Sequence, residues 1–299
     1  MYQLFTDTSA NLPTPICQEK NIHVIQLSYY IDDVEQACPD TEAFNDAAYY
    51  NAMKNGQVVT TSQITPARFE EAFRSVLEAG DDLIYIAMAQ KISGTYDRAC
   101  AVAEALMQEF PARRILVLNT KGAGFGEGLC VLEAARIREE GGSLDEAFKQ
   151  AERAARYVYQ VFTVDDLNYL GRTGRCSNFS AFVGSALGIK PLLQGSDDGQ
   201  IVTIEKAHGR HKALKSLVKH YKKNVQNAGS QTVYISHANC PDDARALADL
   251  LREADAPKEI VIAAHEPATG AHLGPGALAL FFMSYHNRDT KTNDEGYFA

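Results

Sequence analysis

Ser93-Gly94-Thr95-Tyr96 combines two hydroxyls and a glycine at a point where an anion could be held. The apolar run 83–88 precedes it and a helical pattern at 99–106 follows it, so the turn joins a buried strand to a helix start. Unpaired backbone N–H groups and the positive end of the helix dipole gather at such a place. An anion there is stabilised without a fixed positive charge. An ordinary helix cap made by Ser93 or Thr95 uses the same residues.

Three further segments place small or hydroxyl residues at element ends. They are Thr6-Asp7-Thr8-Ser9-Ala10-Asn11 after the opening strand, Thr60-Thr61-Ser62-Gln63 before a helix, and Gly270-Ala271-His272-Leu273-Gly274-Pro275-Gly276 before the last strand. Each reads equally well as turn chemistry. Together they supply uncharged donors and one histidine, but no paired nucleophile and base. Gly171-Arg172-Thr173-Gly174-Arg175 follows Asp165-Asp166, and its arginines could meet an anion, those aspartates or a partner surface. His208 and His211 flank Arg210 without a carboxylate at matching spacing, so no metal site is expected. The glycine run 122–128 is G-x-G-x-G-x-G rather than a dinucleotide loop, and neither a Walker sequence nor a G-x-S-x-G elbow occurs.

The elements that must position these residues alternate between strand and helix. Strands are predicted at 22–27, 83–88 and 115–118, and helices at 66–79, 126–140 and 143–156. Thr65 caps the first helix with Pro66 at its first position, and Ser143 caps the third. The pattern restarts with strands at 158–164, 189–193, 200–204, 232–236, 260–264 and 277–283 and helices at 211–227 and 242–253. Such alternation predicts an α/β fold of parallel sheets with helices on both faces, in two α/β domains, 1–158 and 159–299, with a cleft between them. The polar residues 287–299 read as a surface tail.

Bulk composition limits the function classes. The chain has 299 residues, 45% hydrophobic and 22% charged, with a net charge of −9, which argues against nucleic acid as a partner. No run approaches the roughly 20 apolar residues of a membrane span, and the N-terminus lacks a secretion-signal pattern. The six cysteines form no C-x-x-C pair, which fits a reducing, cytoplasmic location.

Taken in order, six segments resemble the DegV family: Thr6-Asp7-Thr8-Ser9-Ala10-Asn11-Leu12, Thr61-Ser62-Gln63, Ser93-Gly94-Thr95-Tyr96, Asp166-Leu167-Asn168-Tyr169-Leu170 with Gly171-Arg172-Thr173-Gly174-Arg175, Ile189-Lys190-Pro191-Leu192-Leu193 with Asp198-Gly199, and Gly270 to Gly276. The resemblance implies a DegV-like pair of α/β domains that bind a long-chain fatty acid as ligand, with no other cofactor and no metal. It also implies a partner, an ATP-dependent fatty-acid kinase subunit that phosphorylates the presented carboxylate to an acyl phosphate for phospholipid synthesis. On that pattern Thr61, Ser93, the Gly94 amide and His272 hold the carboxylate, Arg172 and Arg175 are contacts to the kinase, and the chain itself is no enzyme. The chain departs from the pattern at Thr8 in place of a serine and at Asn119-Thr120-Lys121-Gly122 in place of a serine and aspartate.

The chemistry is consistent with that implication. Burying an acyl tail contributes about 0.8 kcal/mol per CH₂ before binding costs. Affinity then needs no charged anchor, and neutral donors leave a carboxylate more nucleophilic than an arginine clamp does. Two other readings of the same residues stay open. One is an enzyme on a small anionic substrate, with His272 as general acid–base. The other is a regulatory protein whose cleft is vestigial and which binds partners through Arg172 or Arg175.

Overall fold

The computed structural model describes residues 1–176 and 188–298, and the chain divides into two compact units. The first comprises Met1–Phe44 and Thr60–Ala155; the second comprises Asn45–Val59 and Arg156–Ala299. A contiguous division at 158 puts residues 45–59 with the first domain, whereas their packing is with the second unit.

The first unit begins with β1 (Tyr2–Asp7), α1 (Thr14–Glu19), β2 (Ile22–Ile25), β3 (Ser28–Ile31) and β4 (Val34–Gln36). The chain then leaves it for α2 (Asp46–Lys54) and returns through β5 (Val59–Ser62). There follow α3 (Pro66–Glu78), β6 (Asp82–Ala87), α4 (Thr95–Glu109), β7 (Ile115–Asn119), α5 (Phe125–Glu139) and α6 (Leu144–Tyr157). Four strands form a parallel sheet in the order β2-β1-β6-β7, with Leu4 opposite Ile22 and Ile84. The middle strands are buried almost throughout, as parallel strands covered on both faces must be.

Helix boundaries follow local chemistry. Thr65 accepts from the Arg68 amide at 3.4 Å, with Pro66 in the first turn. Phe69, Phe73, Val76 and Leu77 give α3 its buried stripe. Ser143 and Glu146 cap α6 reciprocally, and its buried face is largely alanine. The strand order reverses at β1, which has β2 on one side and β6 on the other. In an open parallel sheet, ligands collect beyond the strand C-termini at such a switch. The turns after β1 and β6 lie at that end.

The second unit contains β8 (Val158–Thr163), α7 (Asn168–Thr173), β9 (Ile189–Gly195), β10 (Ile201–His208), α8 (Arg210–Asn224), β11 (Thr232–His237), α9 (Pro241–Ala254), β12 (Glu259–Ala264), α10 (Pro267–Leu273) and β13 (Leu278–Met283). Its sheet order is β10-β9-β8-β13-β11-β12. Here the expectation of a parallel sheet fails: only β11 and β12 pair in parallel, and the other four pairings are antiparallel. The turn at Ser196–Gly199 makes β9 and β10 a hairpin, and β13 enters between β8 and β11, antiparallel to both. The core joins Val161, Leu192, Leu217, Tyr221, Val233, Ile235, Leu247, Leu280 and Phe282.

The expected surface tail is instead a docked hairpin, β14 (His286–Asn287) with β15 (Thr292–Asn293). Arg288 is buried and donates to the Val158 carbonyl at 2.9 Å, Asn287 donates to the Tyr157 hydroxyl, and Tyr297 is buried. Polar side chains here satisfy backbone and side-chain partners rather than water, which composition alone does not reveal. Among the described residues no helix is long and apolar enough to cross a membrane.

Candidate functional site

The switch-point end of the first unit carries the Ser93 turn. Gly94 occupies the cap position of α4 and, lacking a side chain, makes no cap hydrogen bond of its own. The amides of Tyr96 and Asp97 find no acceptor among the described residues. Thr95 donates its amide to Ser93 Oγ at 3.3 Å, and Ser93 Oγ donates to Thr95 Oγ1 at 2.9 Å, so the serine hydroxyl is folded over the helix start. This combines the cap and anion-site readings: a weak serine cap leaves most first-turn donors available.

Gln63 shares the turn. A Cβ at position 94 would lie 2.7 Å from Gln63 Nε2 and 2.8 Å from Oε1, so only a glycine lets that amide rest on the helix start. Arg98, one turn into α4, donates to the Ile64 carbonyl at 3.3 Å and ties the segment after β5 to the helix. Thr61 lies on β5, half-buried, two residues before Gln63 and therefore on the same side of the extended chain. The motif Thr61-Ser62-Gln63 thus contributes a residue, Gln63, that its residue types alone did not single out.

His272, Arg172 and Arg175 belong to the second unit. Six expected residues therefore form two groups, three on each unit. His272 lies in α10, whose first turn is capped by Glu266 accepting from the Ala268 and Thr269 amides. Burial and the nearby Arg175 guanidinium lower the His272 pKa to about 4, so its imidazole is neutral at pH 7. Arg175 is thereby placed in the electrostatic environment of His272. Arg172 is exposed and its guanidinium lies 4.6 Å from the Tyr169 ring centroid.

The glycines around His272 have steric reasons. A Cβ at Gly270 would lie 2.0 Å from the Tyr50 hydroxyl oxygen, and one at Gly274, where φ is +76°, would lie 2.3 Å from the Tyr169 ring. The Tyr50 hydroxyl donates to the His265 carbonyl at 2.8 Å, and Tyr49 donates to the Pro267 carbonyl at 2.7 Å. His265 continues the network, its ring nitrogens 2.9 Å from Ser236 Oγ and 2.9 Å from Thr269 Oγ1. None of Tyr49, Tyr50 and His265 was legible as part of this region, because the contacts join segments more than 200 residues apart.

His265 is fully buried, and burial, with His237 beside it, lowers its pKa to about 4. For both His265 and His272 the folded pKa lies below the ordinary value near 6.5. Between those values the unfolded chain binds protons that the folded chain refuses, so stability falls as pH falls from about 6.5 toward 4. The expected loss is about 1.4 kcal/mol per pH unit per histidine at most. Urea unfolding at pH 7, 5.5 and 4.5 measures it; a His265→Gln variant showing the wild-type slope would remove His265 as a source.

Among the described residues no cluster of histidine, cysteine and carboxylate side chains could hold a metal ion, and the six cysteines are free thiols. The first unit's group offers hydroxyls and amides, and the second unit's group a neutral imidazole.

A sequence model described as "Uncharacterised protein, DegV family" matches residues 1–285. A DegV domain-containing protein of Clostridium perfringens is 35% identical over 290 residues, covering 97% of this chain and 98% of that one. Among solved structures, a fatty-acid-binding DegV family protein of Thermus thermophilus superposes with a TM-score of 0.85 at 26% identity, covering 95% of this chain and 99% of the other. A fatty-acid-binding DegV family protein of Streptococcus agalactiae superposes with a TM-score of 0.82 at 27% identity, with coverage of 95% and 99%.

Proposed function

The chain belongs to the DegV family, and from that premise we propose that it binds a long-chain fatty acid and presents the carboxylate to a separate ATP-dependent kinase subunit. The observation that carries the binding reading is the start of α4, where Ser93, the Gly94 turn and uncommitted first-turn amides offer neutral donors to an anion. Fatty-acid binding by the similar Thermus and Streptococcus proteins supports the same ligand class.

In this reading Thr61, Ser93 and the Gly94 amide donate to the carboxylate. His272, neutral at pH 7, adds a donor without a counter-charge. Such a carboxylate is oriented but keeps its negative charge, as attack on a phosphoryl group requires. The chain supplies binding and orientation, and the phosphoryl transfer belongs to the partner. Arg172 and Arg175 are the proposed contacts to that partner, and the cytoplasm is the proposed location.

Mass spectrometry of the purified protein under native and denaturing conditions tests the ligand. The expected result is a native mass excess released as one or a few fatty acids. Protein that neither carries a fatty acid nor takes one up from solution would end the proposal. Incubating the loaded protein with ATP, with and without the kinase subunit, tests presentation: acyl phosphate is expected only with both proteins. Turnover without the kinase would favour the small-anion enzyme, with His272 as its acid–base group.

A further inference from the structure

The backbone does not itself ask for a glycine at position 94. Its φ is −79° and its ψ 8°, values open to residues with a side chain. A helix cap position ordinarily carries a side chain whose oxygen accepts from the first-turn amides. Here another segment takes that volume. A Cβ at 94 would stand 2.7 Å from Gln63 Nε2, 2.8 Å from Gln63 Oε1 and 3.0 Å from the Cδ between them. The Gln63 carboxamide therefore lies against the α4 start in the place of a cap side chain. Among the described residues that carboxamide has no hydrogen-bond partner.

The chain around Gln63 is anchored on both sides, and all of it belongs to the first unit. The Ser62 and Tyr30 hydroxyls are 3.5 Å apart. Ile64 is fully buried, its carbonyl accepts from Arg98 Nη1 at 3.3 Å, and Thr65 caps α3. The two charged side chains of the first α4 turn are exposed and partnered, Asp97 by Gln90 Nε2 at 2.7 Å and Arg98 by Ile64. Gln63 is half-buried, so a polar group with two donors, one acceptor and no charge is held beside the α4 amides at little cost in backbone entropy.

We infer that Gln63 is a specificity-determining residue of the carboxylate site at the α4 start: its Nε2 donates to the headgroup, and its lack of charge is what admits an ionised one. This role rests on the fatty-acid reading above. A glutamate in the same place carries two acceptor oxygens and a negative charge. It occupies the first-turn amides itself and repels a fatty acid, yet it accepts from the hydroxyl of a fatty alcohol. Position 63 thus decides between acidic and neutral headgroups, while the acyl tail is indifferent to it. Gly94 is the other half of the device. An alanine there pushes the flexible carboxamide aside and leaves the helix in place.

Delipidated full-length protein titrated at pH 8 with palmitic acid, and with the alcohol of the same chain length, tests this role. Gln63→Glu is expected to weaken the acid roughly tenfold or more and to leave the alcohol within about threefold of wild type. A merely structural role moves both ligands together. Equal weakening of acid and alcohol, or wild-type affinity for the acid, would overturn the assignment. Wild-type protein that takes up neither ligand would overturn the fatty-acid reading, and this role with it. If Q63E fails to fold, a cycle of Gln63→Ala and Gly94→Ala decides. Each single variant is expected to weaken the acid about tenfold, and the double variant no more than either, because both remove one contact. Additive losses would overturn the assignment.

Discussion

Alanine at both Thr61 and Ser93 is expected to weaken retention of a long-chain fatty acid by about 3 kcal/mol, roughly a hundredfold in Kd, with little loss of stability. Each hydroxyl that donates to a carboxylate is worth about 1.5–3 kcal/mol, because the acceptor is charged. Removing the two leaves the α4 amides as the remaining donors of that turn. Both side chains are half-buried, and Ser93 makes only a weak cap, so alanine leaves no cavity. Titration with a fatty acid after delipidation measures the change, and urea unfolding controls for the fold. Wild-type affinity in the double variant would remove these residues from the anchor.

A larger structural effect is expected at Gly270. Its replacement by alanine sets a methyl group 2.0 Å from the Tyr50 hydroxyl oxygen and 3.0 Å from Cζ of the same ring. Tyr50 is fully buried and hydrogen-bonded to His265, so it has no free space to retreat into. Overpacking of this kind costs about 1–3 kcal/mol, and losing the hydroxyl's partner adds about 1 kcal/mol. Gly270→Ala should therefore lower the unfolding midpoint of the second unit markedly. Tyr50→Phe, which removes the clashing oxygen, should recover part of that loss when combined with it. If the double variant is as unstable as the sum of the singles, the two positions do not interact as the geometry requires.

What could be read from the chain was largely local. Thr65-Pro66 announced α3, Ser143 announced α6, and the apolar runs around Ile84 and Leu116 announced buried parallel strands, because caps and periodicity act within a few residues. The Ser93 turn was visible for the same reason. The stretch 270–276 reads as turn chemistry because of its three glycines and a proline; the Glu266 cap, Pro267 in the first turn and tertiary packing make Pro267–Leu273 helical. The antiparallel entry of β13 left no local trace, since strand direction is set by partners far away in sequence. Gln63 and Tyr50 were missed as site members because each gains its meaning from a residue on another element. Ordered matching to the DegV pattern, rather than any single motif, carried the reading from anion-friendly turns to a fatty acid.

The excursion of residues 45–59 into the second unit has a consequence for synthesis on the ribosome. The acceptor of the Tyr50 hydroxyl, the His265 carbonyl, lies 215 residues downstream. At about 5–20 residues per second, it is translated roughly ten to forty seconds after Tyr50. The first unit's strands and helices are complete by Ala155, yet Tyr49, Tyr50 and Met53 of α2 must wait for α10 and its surroundings. During that interval a nascent chain displays an amphipathic helix with two tyrosines and a methionine uncovered. A release or stall anywhere between 155 and 265 leaves that face exposed, making α2 a natural point of capture by holdase chaperones and an early site of proteolysis in truncated products.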